Sequence, residues 1–153
     1  MRTEPKTANI YLAGRKAAGL TQERWSEMLG VSTEAVRQYE AGIYTPADEI
    51  ARRMAEIAGM PVLAYWHMCR KSRLMADFLP ELSQVPLAQA VCALLAAIQQ
   101  FNDQSRAAEL LRIAADGKVD ALERDDFRRI LADLEGIVQA ALEVKYAQDD
   151  EEE

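Results

Sequence analysis

Apolar residues recur at three- and four-residue intervals through most of the 153-residue chain, and nowhere do they alternate as a half-buried strand requires. The spacing predicts helices over about 9–18, 22–29, 33–40, 46–58 and 61–78. The breaks between them are short, and most carry glycine or proline: AGLT, GVS, AGIYT and GM. Leu79-Pro80 and Val85-Pro86 then bracket a polar break that reads as a module boundary, since a residue before proline is pushed out of the helical region. Two longer patterns follow. The first, over about 87–115, carries Leu87, Val91, Leu94, Ile98 and Phe101; the second, over about 121–147, carries Phe127, Ile130, Leu134, Ile137, Ala141 and Val144. Between them lies ADGKVDALE. Asp116-Gly117 suits a helix end with glycine in the left-handed region, and Asp120 with Glu123 can form a capping box for the next helix.

These patterns give an all-α chain: a five-helix domain over 1–79, an antiparallel helical hairpin over 80–148 and an acidic, disordered tail over 149–153. Leu95, Leu131, Val138 and Leu142 widen the hairpin's apolar stripe past what one antiparallel neighbour covers. The surplus needs a further partner. It is either the N-terminal domain or a second copy of the hairpin, which would make a dimeric four-helix bundle.

Charge sharpens this division. The net −7 is unevenly placed: residues 1–75 hold 11 Lys+Arg against 8 Asp+Glu, net +3, and the remainder is net −10, including the terminal DDEEE. Nucleic acid attracts only the first half, so an acidic chain does not exclude it as a partner. The start, MRTEPKTANI, lacks the apolar stretch of a signal peptide, and the longest apolar run, AVCALLAAI, is too short to span a bilayer. A cytoplasmic protein with no membrane partner is expected. Cys69 and Cys92 have no metal-ligand spacing, and Cys92, inside that run, reads as a buried free thiol. His67 reads as a helix-surface or packing residue, because one imidazole and a nearby thiol cannot complete a zinc site. An EF-hand alignment on Gly117 would put Arg112 and Ala114 at the first two ligand positions, where neither can bind calcium. No metal or other cofactor is expected.

The stretch LTQERWSEMLGVSTEAVRQYEAG reads as two helix starts in quick succession. Thr21 caps the first, with Leu20 and Trp25 as a hydrophobic staple; Ser32 caps the second, with Val31 and Val36 in the same relation. LGVS between them makes a tight helix–turn–helix. Trp25, Leu29, Val31, Val36 and Tyr39 form its core. Thr33, Glu34, Arg37 and Gln38 are left facing outward, all hydrogen-bonding types.

With GLTQE at 19–23, LGVS at 29–32, VRQYEAG at 36–42 and Pro46 closing the next turn, residues 10–65 resemble the phage lambda Cro/cI-type (XRE-like) repressor family. The resemblance implies a five-helix lambda-repressor-like domain whose third helix enters the DNA major groove. It implies a phosphate contact for Gln22, assisted by the free amides of its helix start. Thr33, Glu34, Arg37 and Gln38 match positions that face base edges, and Ser32 a cap that also touches the backbone. Arg15 and Glu40 match an internal ion pair. Arg37 can donate twice to guanine, Gln38 can donate and accept at adenine, and Glu34 can accept from cytosine. Against base contact, an acid in a first helical turn also complements the helix dipole.

Three departures from the family pattern stand out. Trp25 stands where leucine is usual, and Ser26 where alanine is. Ile43-Tyr44-Thr45 replace the usual Lys or Arg with hydroxyls and backbone amides, so Tyr44 and Thr45 become the phosphate-contact candidates there. Arg70, Lys71 and Arg73 read either as a solvated helix face or as extra phosphate contacts.

The expected function is a dimeric, sequence-specific DNA-binding repressor. It would be held by the C-terminal hairpin on an inverted-repeat operator in double-stranded DNA. The alternative keeps the fold without the DNA surface, as a protein-interaction module, antitoxin or adaptor. An enzyme is not expected: the only serines after residue 80 are Ser83 and Ser105, and no Ser/His/Asp group, phosphate-cradling loop or paired carboxylate appears.

Overall fold

The computed structural model describes residues 9–147; the acidic tail, 149–153, lies outside the described residues. The described part forms nine helices and no strand, with its contacts gathered into two units, residues 1–79 and 80–153.

The first unit holds α1 (Ile10–Ala17), α2 (Gln22–Leu29), α3 (Thr33–Glu40), α4 (Asp48–Ala58), α5 (Val62–Lys71) and α6 (Arg73–Phe78). Local chemistry sets most of its boundaries. Asn9 accepts from the amides of Tyr11 and Leu12, Thr21 from Arg24, and Ser32 from Ala35, so each side chain satisfies otherwise orphaned donors of a helix start. Gly30, at φ 71°, ends α2 in the left-handed region that side chains avoid. The fourth helix begins at Asp48 rather than at Pro46, whose ring is buried. Ala47 takes the cap position without a side-chain bond, and Asp48 and Glu49 place negative charge in the first turn.

The expected continuous helix over 61–78 is broken at Ser72, which is extended (φ −123°, ψ 111°) and whose hydroxyl accepts from the Met75 amide. Serine competes with the helical backbone in this way, and here it starts a new helix. The unit therefore has six helices.

Its core forms because α1 packs on α3, α4 and α5, and α2 on α3 and α4. Trp25, Leu29, Val36, Met54, Val62 and Leu63 are fully buried, while Val31 and Tyr39 are half-buried. Gly14 lets α1 come close: a Cβ there would stand 2.4 Å from Leu63 Cδ1. Trp25 fills the centre, but its Nε1 donor has no hydrogen-bond partner. His67, buried, accepts or donates at both ring nitrogens: Nδ1 lies 3.0 Å from Tyr11 Oη and Nε2 3.0 Å from Asp48 Oδ1. It is a packing residue joining α1, α4 and α5.

The second unit holds α7 (Leu87–Asp103), α8 (Arg106–Ala114) and α9 (Arg124–Tyr146). Ser83 bonds to Glu143, Arg106 to Asp133 and Arg112 to Glu123, so rising positions meet falling ones and the hairpin is antiparallel. Its first arm is not the single helix expected over 87–115. It breaks at Gln104-Ser105, where Ser105 adopts φ 55°, alone among non-glycine residues described. The run Asn102-Asp103-Gln104-Ser105 is rich in side chains that compete with helical backbone bonds. Beyond it, Arg106 pairs with Glu109 and Asp133, fixing α8 to α9. The reciprocal bonds of the expected box form, Asp120 Oδ1 accepting from Glu123 N and Glu123 Oε2 from Asp120 N, but they close a turn and do not cap the helix: α9 starts at Arg124, not near Ala121, with Glu123 at the cap position and no side-chain cap bond.

Few of this unit's described residues are buried: Leu82, Ala90, Ile113, Ile130 and Ala140. Cys92 is exposed, contrary to the expectation of a buried thiol, because one neighbouring helix covers only one stripe of the apolar run around it. The packed stripe of α7 is Ala90, Leu94, Ala97 and Phe101. At about 100° per residue, exposed Leu87, Val91, Leu95 and Ile98 follow it in the direction of increasing angle. Leu131 and Val138 follow the Ile130–Ile137–Val144 stripe of α9 in the same rotational sense. In antiparallel helices, equal rotation brings both stripes to one side. The hairpin thus carries one continuous apolar face.

Candidate nucleic-acid interface

Two helices and a glycine turn build the candidate surface. Past Gly30, the Val31 amide returns to Ser26 O at 3.1 Å, closing α2 and directing the chain into α3. Ser26 is itself buried. Its hydroxyl donates to Glu23 O at 2.7 Å and lies 3.1 Å from Thr33 Oγ1, so it ties the two helices together where the family pattern has alanine. Val36 fixes the inner side of α3 in the core. Arg53, which no motif or spacing singles out, donates from α4 to Met28 O at 2.6 Å and Leu29 O at 3.2 Å, satisfying carbonyls at the end of α2.

The far end of α3 is held from the other side. Asn9 Nδ2 donates to Tyr39 O at 2.6 Å. Arg15 grips Glu40 in two places, Nε to Oε1 at 2.6 Å and Nη2 to Oε2 at 3.0 Å, and gives Nη1 to Leu20 O at 2.9 Å. Both side chains are largely buried, and the Glu40 carboxylate pushes the Arg15 guanidinium above its ordinary pKa. Gln22 joins this pair, its Nε2 donating to Glu40 Oε2 at 2.8 Å.

Outward on α3 stand Glu34 and Arg37, both exposed, with Gln38 half-buried beside them. Thr33 is also half-buried and its hydroxyl already engaged by Ser26, which leaves it the least available of the four expected reading residues. Ser32 is exposed and capping. Tyr44 and Thr45 are exposed on the loop after α3, which folds back through Ile43 N to Gln38 O at 2.9 Å. Ile43 is exposed as well, an apolar side chain at the edge of a polar surface. Of the basic cluster at the end of α5, Lys71 is paired with Asp48, and the carboxyl of Asp48 is held below its usual range by Lys71 and then His67; Arg70 and Arg73 are exposed.

Among the described residues, no group of three or more His, Cys, Asp or Glu side chains is arranged to hold a metal ion. No described helix is long and apolar enough to cross a membrane. Burial pushes the Cys69 thiol up, away from the thiolate that reactive chemistry needs. The arrangement as a whole offers directed hydrogen-bond donors and acceptors on a rigid helix, with amides of a capped helix start nearby.

Residues 13–63, from the middle of α1 into α5, match the sequence model of the helix-turn-helix family. No curated protein and no solved structure matches the chain.

Proposed function

Because its N-terminal domain belongs to the Cro/cI-type (XRE-like) helix–turn–helix family of DNA-binding regulators, we propose that this protein is a sequence-specific transcriptional repressor that binds double-stranded DNA as a dimer. One observation carries the reading: α3 is anchored on its inner side by Val36 and at its end by the Arg15–Glu40 pair, while Glu34, Arg37 and Gln38 project outward from the same rigid element. Such a helix fits the major groove, where a guanidinium reads guanine and an amide reads adenine. Gln22, Ser32, Tyr44 and Thr45 flank it as phosphate contacts. Repression needs only occlusion of a promoter by the bound domain.

The dimer rests on the apolar face of the second unit. Leu95 and Val138 are 60% and 53% exposed there, and a second copy of the same face covers both through a self-complementary interface. Two reading helices then address half-sites about 10–10.5 bp apart, or a multiple of that spacing. Selection of bound duplexes from a random pool tests the whole reading. An inverted repeat is expected. A single asymmetric half-site overturns the dimer, and no binding at low salt, where phosphate contacts are strongest, overturns the regulator.

A second reading draws on Ile43, Tyr44 and Glu34: an exposed apolar pair and an acid at the reading surface suit a protein partner better than phosphates. Absence of DNA binding together with capture of a protein through these residues would favour it.

A further inference from the structure

The reading face is paired with itself. Glu34 Oε2 lies 3.6 Å from Arg37 Nη1, and Glu34 Oε1 accepts from Gln38 Nε2 at 3.3 Å. One carboxylate therefore engages both groups best suited to reading purines. On the opposite side Arg37 donates its Nε to Gln22 Oε1 at 3.4 Å. The Gln22 amide is in turn oriented by its bond to Glu40, which Arg15 fixes from below. The polar chain thus runs unbroken from a buried ion pair to the outermost carboxylate. Its inner links are short and sheltered. Its outer links are long and exposed, with Glu34 and Arg37 side chains 65% and 57% accessible, so these are the ones that exchange readily.

We propose that Glu34 determines specificity as an intramolecular competitor, holding Arg37 and Gln38 until a matched base pair replaces it; the inference rests on the DNA-binding reading above. A non-cognate duplex offers mainly phosphates. These repel Glu34, and they meet an Arg37 charge already offset by its neighbour, so the sequence-independent attraction is weak. A matched site supplies what phosphates lack: an amino donor, such as cytosine N4, for the Glu34 carboxylate, and guanine O6 and N7 for the released guanidinium. Glu34 therefore lowers binding to wrong sequences more than to the right one.

Glu34→Gln tests this, because it keeps an acceptor for Gln38 and removes only the charge. Affinity for a scrambled duplex should rise about fivefold, the scale of one charge interaction at a few ångström in water. The dependence on salt should steepen by about one phosphate contact as Arg37 is freed. The motif selected from random DNA should lose its cytosine preference at one position, with the thermal transition checking that the variant is folded. If wild type selects a motif and Glu34→Gln changes neither scrambled-duplex affinity nor salt dependence, the competitor role is overturned and Glu34 is only a dipole-complementing acid. If wild type binds no duplex at low salt, the DNA reading itself fails, and this inference falls with it.

Discussion

Glu40 shows how a single side chain can belong to both the core and the site. Its carboxylate receives Arg15 twice and Gln22 once while remaining almost wholly buried. Glu40→Gln would leave the Arg15 guanidinium buried without its counter-charge, and breaking such a pair costs about 3–5 kcal/mol. Urea unfolding should register that loss at neutral pH, with a lower midpoint and an unchanged slope. An unaltered midpoint would mean that the pair is solvated in solution. At the interface, the two glutamines separate by role. Gln38→Ala should relax preference at one base pair by about 1–3 kcal/mol, with little change elsewhere in the motif. Gln22 gives one amide hydrogen to Glu40 and has a second for a phosphate, so Gln22→Ala should weaken every sequence alike while leaving the salt dependence unchanged, because a neutral amide releases no counterion. Motif selection, with affinity for a scrambled duplex, distinguishes the two patterns.

Elements were most legible where a local rule sets them. Thr21 and Ser32 cap the helices they were expected to cap, whereas Asp120 and Glu123 bond to one another in the turn ahead of α9 and do not cap it. Legibility failed where a polar residue interrupts a run whose apolar spacing continues. The three- and four-residue rhythm passes straight through Ser72 and Ser105, yet the helix breaks at both and a new one starts after each. The signal at 105 was present as Asn102-Asp103-Gln104-Ser105, but no glycine or proline marked it. Long-range ties such as Arg53 to the α2 carbonyls leave no trace in spacing, since the partners lie 24 and 25 residues apart. The break at Ser105 makes its own prediction. A non-glycine residue at φ 55° carries about 1–2 kcal/mol of backbone strain. Ser105→Gly should relieve part of it and raise the thermal midpoint, provided the glycine's larger unfolded-state entropy does not cancel the gain. Pairing it with Ser105→Ala, which keeps the strain and removes the hydroxyl, separates the two effects: only the glycine should stabilise.

At the scale of the whole molecule, the two units differ in kind. The first encloses Trp25, Met54 and Leu63 within six helices, whereas the second, among its described residues, buries five apolar side chains and leaves a row of large ones partly in water. Leu87, Val91, Leu95, Ile98, Leu131 and Val138 stay partly exposed on one side, so a partner that covers them recovers about half of the roughly 1.5–3 kcal/mol that full burial of each large side chain provides. Of the two helices that supply this face, α7 has Asp103 as its one charged residue, whereas α9 brings charges of both signs beside Leu131 and Val138. In the proposed dimer, Leu95→Glu with Val138→Glu would place carboxylates on the apolar face that the two copies share. Sedimentation should then report a monomer, with helical content largely kept because neither residue is buried within one copy. The same variant should still recognise a single half-site while losing most of its affinity for the inverted repeat, because the second contact is no longer tethered to the first. A double variant that stays dimeric would place the dimer contact elsewhere in the chain. One that becomes monomeric yet binds the full operator as tightly as wild type would show that the two half-sites are not coupled through the hairpin.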